Sequence, residues 1–118
     1  MYIRLYEIAY ARSGDKGSDA NVGVIAYTPE GYDFLHKVLT AEHLSKFLAP
    51  TGLQCAIRYE LPNLLAFNFV LKGALGVGGS QSLRIDAQGK ALGQITLELL
   101  LDIPEAQLQK CMPPKAIP

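Results

Sequence analysis

The sequence has no excess of either charge: 11 Lys+Arg stand against 11 Asp+Glu in 118 residues. A balanced chain with a pI near 6.7 is not a dedicated nucleic-acid binder, which carries a basic face or stripe. Charged residues are scarce overall, 19% against the roughly 25% of an average soluble domain. That scarcity points to surface covered by a partner or by another copy. No window reaches the ~18 consecutive apolar residues of a membrane span, so no membrane partner is expected. The opening Met1-Tyr2-Ile3-Arg4-Leu5-Tyr6-Glu7 is charged early and alternates, which does not read as a signal peptide. Cysteine is rare: Cys55 and Cys111 form neither a CxxC motif nor a disulfide framework, and read as reduced thiols of a cytoplasmic protein. The apolar flanks of Cys55 suggest a buried small hydrophobe. His36 and His43 stand seven apart in a helical region, too far to share a metal without a bend; no metal and no cofactor is expected.

What is present suffices for one domain. Hydrophobic residues make up 49%, enough for a core. Residues 2–12 read as a strand, and 21–27, with Val22, Val24 and Ile25, as a second. Thr28-Pro29-Glu30 is a helix start, and Thr40-Ala41-Glu42 a second cap. Pro50-Thr51-Gly52 ends the helical region. Leu53–Leu61 alternates as a third strand. Leu64–Leu71 is nearly all apolar, a central strand buried on both faces and interrupted by Asn68. Residues 90–103 fit both periods: Ala91, Leu92, Ile95 and Leu99 mark a helical face, whereas Ile95, Leu97, Leu99, Leu101 and Ile103 alternate. Topology favours helix. The domain is drawn over residues 1–104, with 105–118 a Pro-containing tail.

The order strand, strand, helix, strand, strand, helix is a permuted ferredoxin-like sandwich of the α+β class. It predicts two layers, ββαββα, with an antiparallel or mixed four-stranded sheet in the order 1-2-4-3 and helices on one face. The tips of the first and fourth strands then flank the second, roughly 10 Å apart. The loop at 13–20 and the glycine-rich stretch after Leu71 therefore meet at one rim.

These loops carry the candidate site. Arg12, Ser13, Gly14, Gly17 and Asn21 surround a turn whose backbone N–H groups can cradle an anion. Arg12 can grip a carboxylate or phosphate with two parallel bonds. Asp15 and Lys16 are the catalytic candidates; Asp15, beside two cations, is expected to be ionised at pH 7. Gly76, Gly78, Gly79 and Arg84 would close over the ligand, and Asn68 would stabilise negative charge. The first loop has neither the spacing nor the helix of a phosphate-binding P-loop. The second is no dinucleotide fingerprint, because Gln81 stands where the third glycine belongs. No histidine falls where a Ser-His-Asp triad would need one. A solvated hairpin tip and a flexible linker are the plainer readings of the two loops.

The strings Ala11-Arg12-Ser13-Gly14-Asp15-Lys16-Gly17 and Asn21-Val22-Gly23-Val24-Ile25-Ala26 resemble the AtuA-like family, which takes its name from an acyclic terpene utilisation protein. The resemblance continues through Leu61-Pro62-Asn63, Asn68-Phe69-Val70-Leu71, Gly73-Ala74-Leu75-Gly76, Ser82-Leu83-Arg84 and Asp86-Ala87-Gln88-Gly89-Lys90. It implies a ferredoxin-like domain, in keeping with the topology, and a final helix. Relatives carry consecutive glycines just after Leu75, where Val77 intervenes here. The resemblance also implies a setting in acyl-CoA or terpenoid breakdown, and a separate larger chain of the same type as partner. Two functions stand side by side. One is an enzyme or enzyme subunit handling an anionic small molecule. The other is a non-catalytic module for homo-oligomerisation or docking.

Overall fold

The computed structural model describes residues 1–16, 19–73 and 90–114, without the side chains of Asp15, Lys16, Lys90 and Ala91. Within these the chain runs β1 (Tyr2–Arg4), β2 (Ala9–Lys16), β3 (Asp19–Ala26), α1 (Pro29–Val38), α2 (Ala41–Phe47), β4 (Cys55–Leu61), β5 (Ala66–Lys72), α3 (Lys90–Thr96), β6 (Leu100–Asp102) and α4 (Glu105–Cys111).

Ala20, Val22, Val24 and Ala26 recur at every second residue and are buried, which commits β3 to extended structure with one face on the core. β3 pairs antiparallel with β2 on one side and β5 on the other, and β5 pairs antiparallel with β4. The sheet order β2-β3-β5-β4 is the 1-2-4-3 order expected from the sequence. β3 and β4 are thus parallel, joined by the helical crossover that parallel strands require, with β5 filling the slot between them.

The crossover begins where the local chemistry directs it. Thr28 Oγ1 accepts a hydrogen bond from Gly31 N at 3.0 Å, with Pro29 in the first turn. Thr40 Oγ1 accepts from His43 N at 3.0 Å and starts α2. Gly52, at φ +80°, ends the helical stretch in the left-handed region. Phe67, Phe69 and Leu71 of β5 are fully buried, as are Leu35, Leu44 and Leu92 of the helices. Burying each such side chain is worth about 1.5–3 kcal/mol. Tyr32 stacks on Phe67 with ring centroids 4.6 Å apart.

Several expectations are corrected. The first strand is not continuous over 2–12. Ile3 and Leu5 keep a two-residue period, but the next buried residue is Ile8, and a 3-10 turn at Leu5–Glu7 absorbs the change of phase. β1 separates from the main sheet and pairs with β6. Residues 90–103 are helix and then strand: Leu97 N and Leu99 N turn the chain back onto Gly93 O and Thr96 O, while Leu97 O and Leu99 O accept from Tyr6 N and Leu5 N. β5 is covered on one face only; Asn68 and Val70 are half-buried on the other. Cys55 is exposed, because the alternating set of β4 points away from the helices; Cys111 is the buried thiol. After Pro104 the chain forms α4, whose Leu108 and Cys111 are buried. Among the described residues, no helix is long and apolar enough to cross a membrane.

Candidate functional site on the open face of the sheet

Register and alternation decide which side chains share the face opposite the helices. Three rows cross it: Tyr10, Ile25, Ala66 and Leu61; then Arg12, Gly23, Asn68 and Tyr59; then Gly14, Asn21, Val70 and Ile57. A groove of about 510 Å³ lies over this face, bordered by the first row, by Arg12, Gly23 and Asn68 of the second and by Gly14 and Asn21 of the third. Arg12, Gly14, Asn21, Gly23 and Asn68 line one end, and Tyr10, Ile25, Ala66, Leu61 and Leu64 the other.

The middle row determines the groove's chemistry. Gly23 occupies the centre of a central strand, where a side chain would normally stand. A Cβ there would meet nothing nearer than Arg12 O at 3.7 Å, so the protein's own packing does not require glycine. Bare backbone in a strand interior leaves room for something else to approach. Arg12 is exposed on one side of it, and among the described residues its guanidinium makes no ion pair. Asn68 stands on the other side. Its Oδ1 accepts from Asn21 Nδ2 at 3.3 Å, while its own amino group enters no hydrogen bond among the described residues. Gly14 leaves space for that amide pair: a Cβ there would come within 3.1 Å of Asn21 Oδ1.

At the rim, Asp19 ties two segments together. Its Oδ1 accepts from Gly73 N at 2.9 Å, and Oδ2 lies 3.4 Å from Lys72 Nζ. The Gly73 bond, aided by Lys72, holds the Asp19 carboxyl below its ordinary value. The start of β3 and the exit of β5 therefore share one rim.

Residues 3–102 match the model of the AtuA ferredoxin-like domain. The chain belongs to this family. No curated protein and no solved structure matches it.

In this AtuA-type domain, Arg12, Gly14, Asn21 and Asn68 are brought together on the open face. Ser13 also borders the groove, but its hydroxyl lies on the helix side and accepts from Gly93 N of α3 at 3.0 Å. Asp15 and Lys16 end β2 opposite Ala20 and Asp19; their side chains lie outside the described residues. So do Gly17, Gly76, Gly78, Gly79 and Arg84. No group of three or more His, Cys, Asp or Glu among the described residues is placed to hold a metal.

Sequence reasoning missed a second cluster in the AtuA-type domain, on the helix side. Arg58 Nη1 donates to His36 O at 3.0 Å and Leu39 O at 2.9 Å, capping α1, while Nη2 meets Glu60 Oε2 at 3.1 Å. Its guanidinium also lies over the Phe67 ring, 5.1 Å from the centroid. His36 Nε2 is 3.0 Å from Glu60 Oε1. That bond, with Arg58 behind it, holds the Glu60 carboxyl below its ordinary range. Arg58, His36 and Glu60 are all engaged with one another or with the end of α1, which marks the cluster as a clasp between β4 and α1. Among the groove residues that sequence reasoning missed, Gly23 carried a signal: a glycine inside a β-branched strand.

Proposed function

We propose that the open face of this AtuA ferredoxin-like domain binds an anionic small molecule, an organic acid or acyl-CoA, as an enzyme or enzyme subunit in acyl-CoA or terpenoid breakdown. The observation that supports this is the row Arg12, Gly23, Asn68. Strands lie about 4.8 Å apart, so Arg12 and Asn68 flank the bare glycine across roughly 10 Å. A carboxylate seated over Gly23 meets a guanidinium on one side and amide N–H groups on the other, with charge-assisted bonds. Asn68 then also stabilises negative charge that develops during reaction. A crystal soaked in acetate or bromide tests the binding step. Density over Gly23 beside Arg12, lost in Arg12→Ala, is the expected result. An anion-free groove in the soaked crystal would contradict the proposal.

A second reading, docking of another copy or of a larger AtuA-type chain, is favoured by the apolar strip on edge strand β4. Ile57, Tyr59 and Leu61 are 38%, 51% and 41% exposed, and Leu64 just beyond is 66% exposed. Magnitude weighs against it as the main role. Four strands about 4.8 Å apart and seven or eight residues long span roughly 450–500 Å², short of the ~800 Å² per partner that a stable interface buries. Light scattering at micromolar concentration separates the readings: docking between copies predicts a dimer or larger, and small-molecule binding alone a monomer.

A further inference from the structure

The groove is polar at one end only, and the polarity changes along the strands. Beyond Gly14 and Asn21 lies the Asp19–Lys72 ion pair. In the middle are Arg12 and Asn68. In the other direction, one row on, every side chain is apolar or aromatic: Tyr10, Ile25, Ala66 and Leu61. Leu64 extends this end, and Tyr27 backs the Tyr10 ring at 5.5 Å.

We infer that the groove takes a carboxylate with a hydrocarbon tail, the carboxylate over Gly23 and the tail running along the strands toward Leu64. The inference rests on the anion-binding reading above and adds the orientation and chemical class of the ligand. Three observations support it. Ala66 is only 5% exposed, so it forms a floor rather than a wall, and the half-buried Ile25 lies beside it in register. Leu61 and Leu64 are exposed enough to lose water when a tail lies against them. Along β2 and β3 the opposite direction is unfavourable to a hydrocarbon, since a tail there would desolvate the Asn21–Asn68 amide pair and approach the Asp19–Lys72 pair, and the apolar Val70 and Ile57 of that row lie outside the groove. A volume near 510 Å³ suits a small ligand, within the usual range of about 300–1,000 Å³. Rows along a strand are roughly 7 Å apart, so the gain per added methylene should fade once the tail passes Leu64.

The test is calorimetric titration of the intact chain with acetate, butyrate, hexanoate and octanoate, and with hexanol and octanol as uncharged controls. The expected result is affinity for the acids rising about twofold to fourfold per methylene up to hexanoate and then levelling. Arg12→Gln should weaken every acid at least tenfold. Leu64→Ser and Leu61→Ser, both at exposed positions, should flatten the dependence on chain length, with circular dichroism confirming the fold. Acids that bind through Arg12 with no dependence on chain length would overturn this inference and leave the anion-binding reading standing. Alcohols that bind as well as the acids, indifferent to Arg12→Gln, would overturn the anion-binding reading and this inference with it. No saturable binding of any probe would do the same.

Discussion

Gly73 donates its backbone N–H to Asp19 Oδ1 at 2.9 Å, joining segments 54 residues apart in the chain. This bond fixes the start of β3 beside the exit of β5, continuing the register in which Ala20 and Leu71 are partners one residue inside. Asp19 and Gly73 thus close one rim of the sheet that carries the open face.

The bond has a pH signature. Its donor and Lys72 hold the Asp19 carboxyl below the ordinary value near 3.8. A carboxyl depressed by folding contributes stability that is present above its unfolded pKa and lost as pH falls through the folded one. Asp19→Asn should therefore be less stable than the parent at neutral pH, with the difference shrinking below about pH 4. Urea melts at pH 7 and pH 3 read this directly. A gap that stays constant with pH would contradict the assignment.

Gly23→Val should fold and fail to bind. Valine favours strands, and the nearest atom to a Cβ at this position is an ordinary 3.7 Å away. Its side chain would occupy the space between Arg12 and Asn68. The melting temperature should hold or rise while hexanoate affinity falls at least tenfold. A variant that unfolds, or one that binds as before, would count against a ligand over this residue.

Gly93→Val should destabilise by about 1–3 kcal/mol, since overpacking a close contact forces backbone or rotamer shifts. A Cβ at Gly93 would meet Ser13 Oγ at 3.0 Å and Ala11 Cβ at 3.6 Å. The glycine lets α3 lie directly on β2. Chemical denaturation measures the loss, and an unchanged midpoint would show that the helix can shift freely.

Arg58→Lys should cost about 1–3 kcal/mol despite keeping the charge. A lysine cannot span both His36 O and Leu39 O and also stack flat over Phe67. The same substitution should leave acid binding intact, because the clasp lies on the helix side of the sheet. Denaturation and hexanoate titration of one variant check both statements.

The features legible in the sequence were those set by near neighbours. Thr28 and Thr40 cap their helices because a hydroxyl three residues before an orphan N–H has one obvious use. The sheet order followed from connection lengths and a single all-apolar strand. The features that misled were set by distant residues. In β4 the apolar alternating set faces outward, because the inward positions hold Arg58 and Ala56 against the helices. Arg58 is there to cap a helix 19 and 22 residues away, which no local pattern announces. Residues 90–103 carried two periods because the chain uses both, a helix to Thr96 and a strand from Leu100. Arg12, Gly14, Asn21 and Asn68 stood out as polar or glycine residues among apolar ones. The apolar half of the groove did not, since Tyr10, Ile25 and Leu61 look like ordinary strand residues until register aligns them.

The most direct test of the open-face site is an amide chemical-shift titration of the ¹⁵N-labelled chain with hexanoate. The site predicts saturable shifts at the Gly23 backbone amide and the Asn68 side-chain amide, fading toward the His36–Glu60 side of the sheet and absent in Arg12→Gln. Shifts confined to the helix face, or linear shifts spread without saturation over the whole chain, would contradict it.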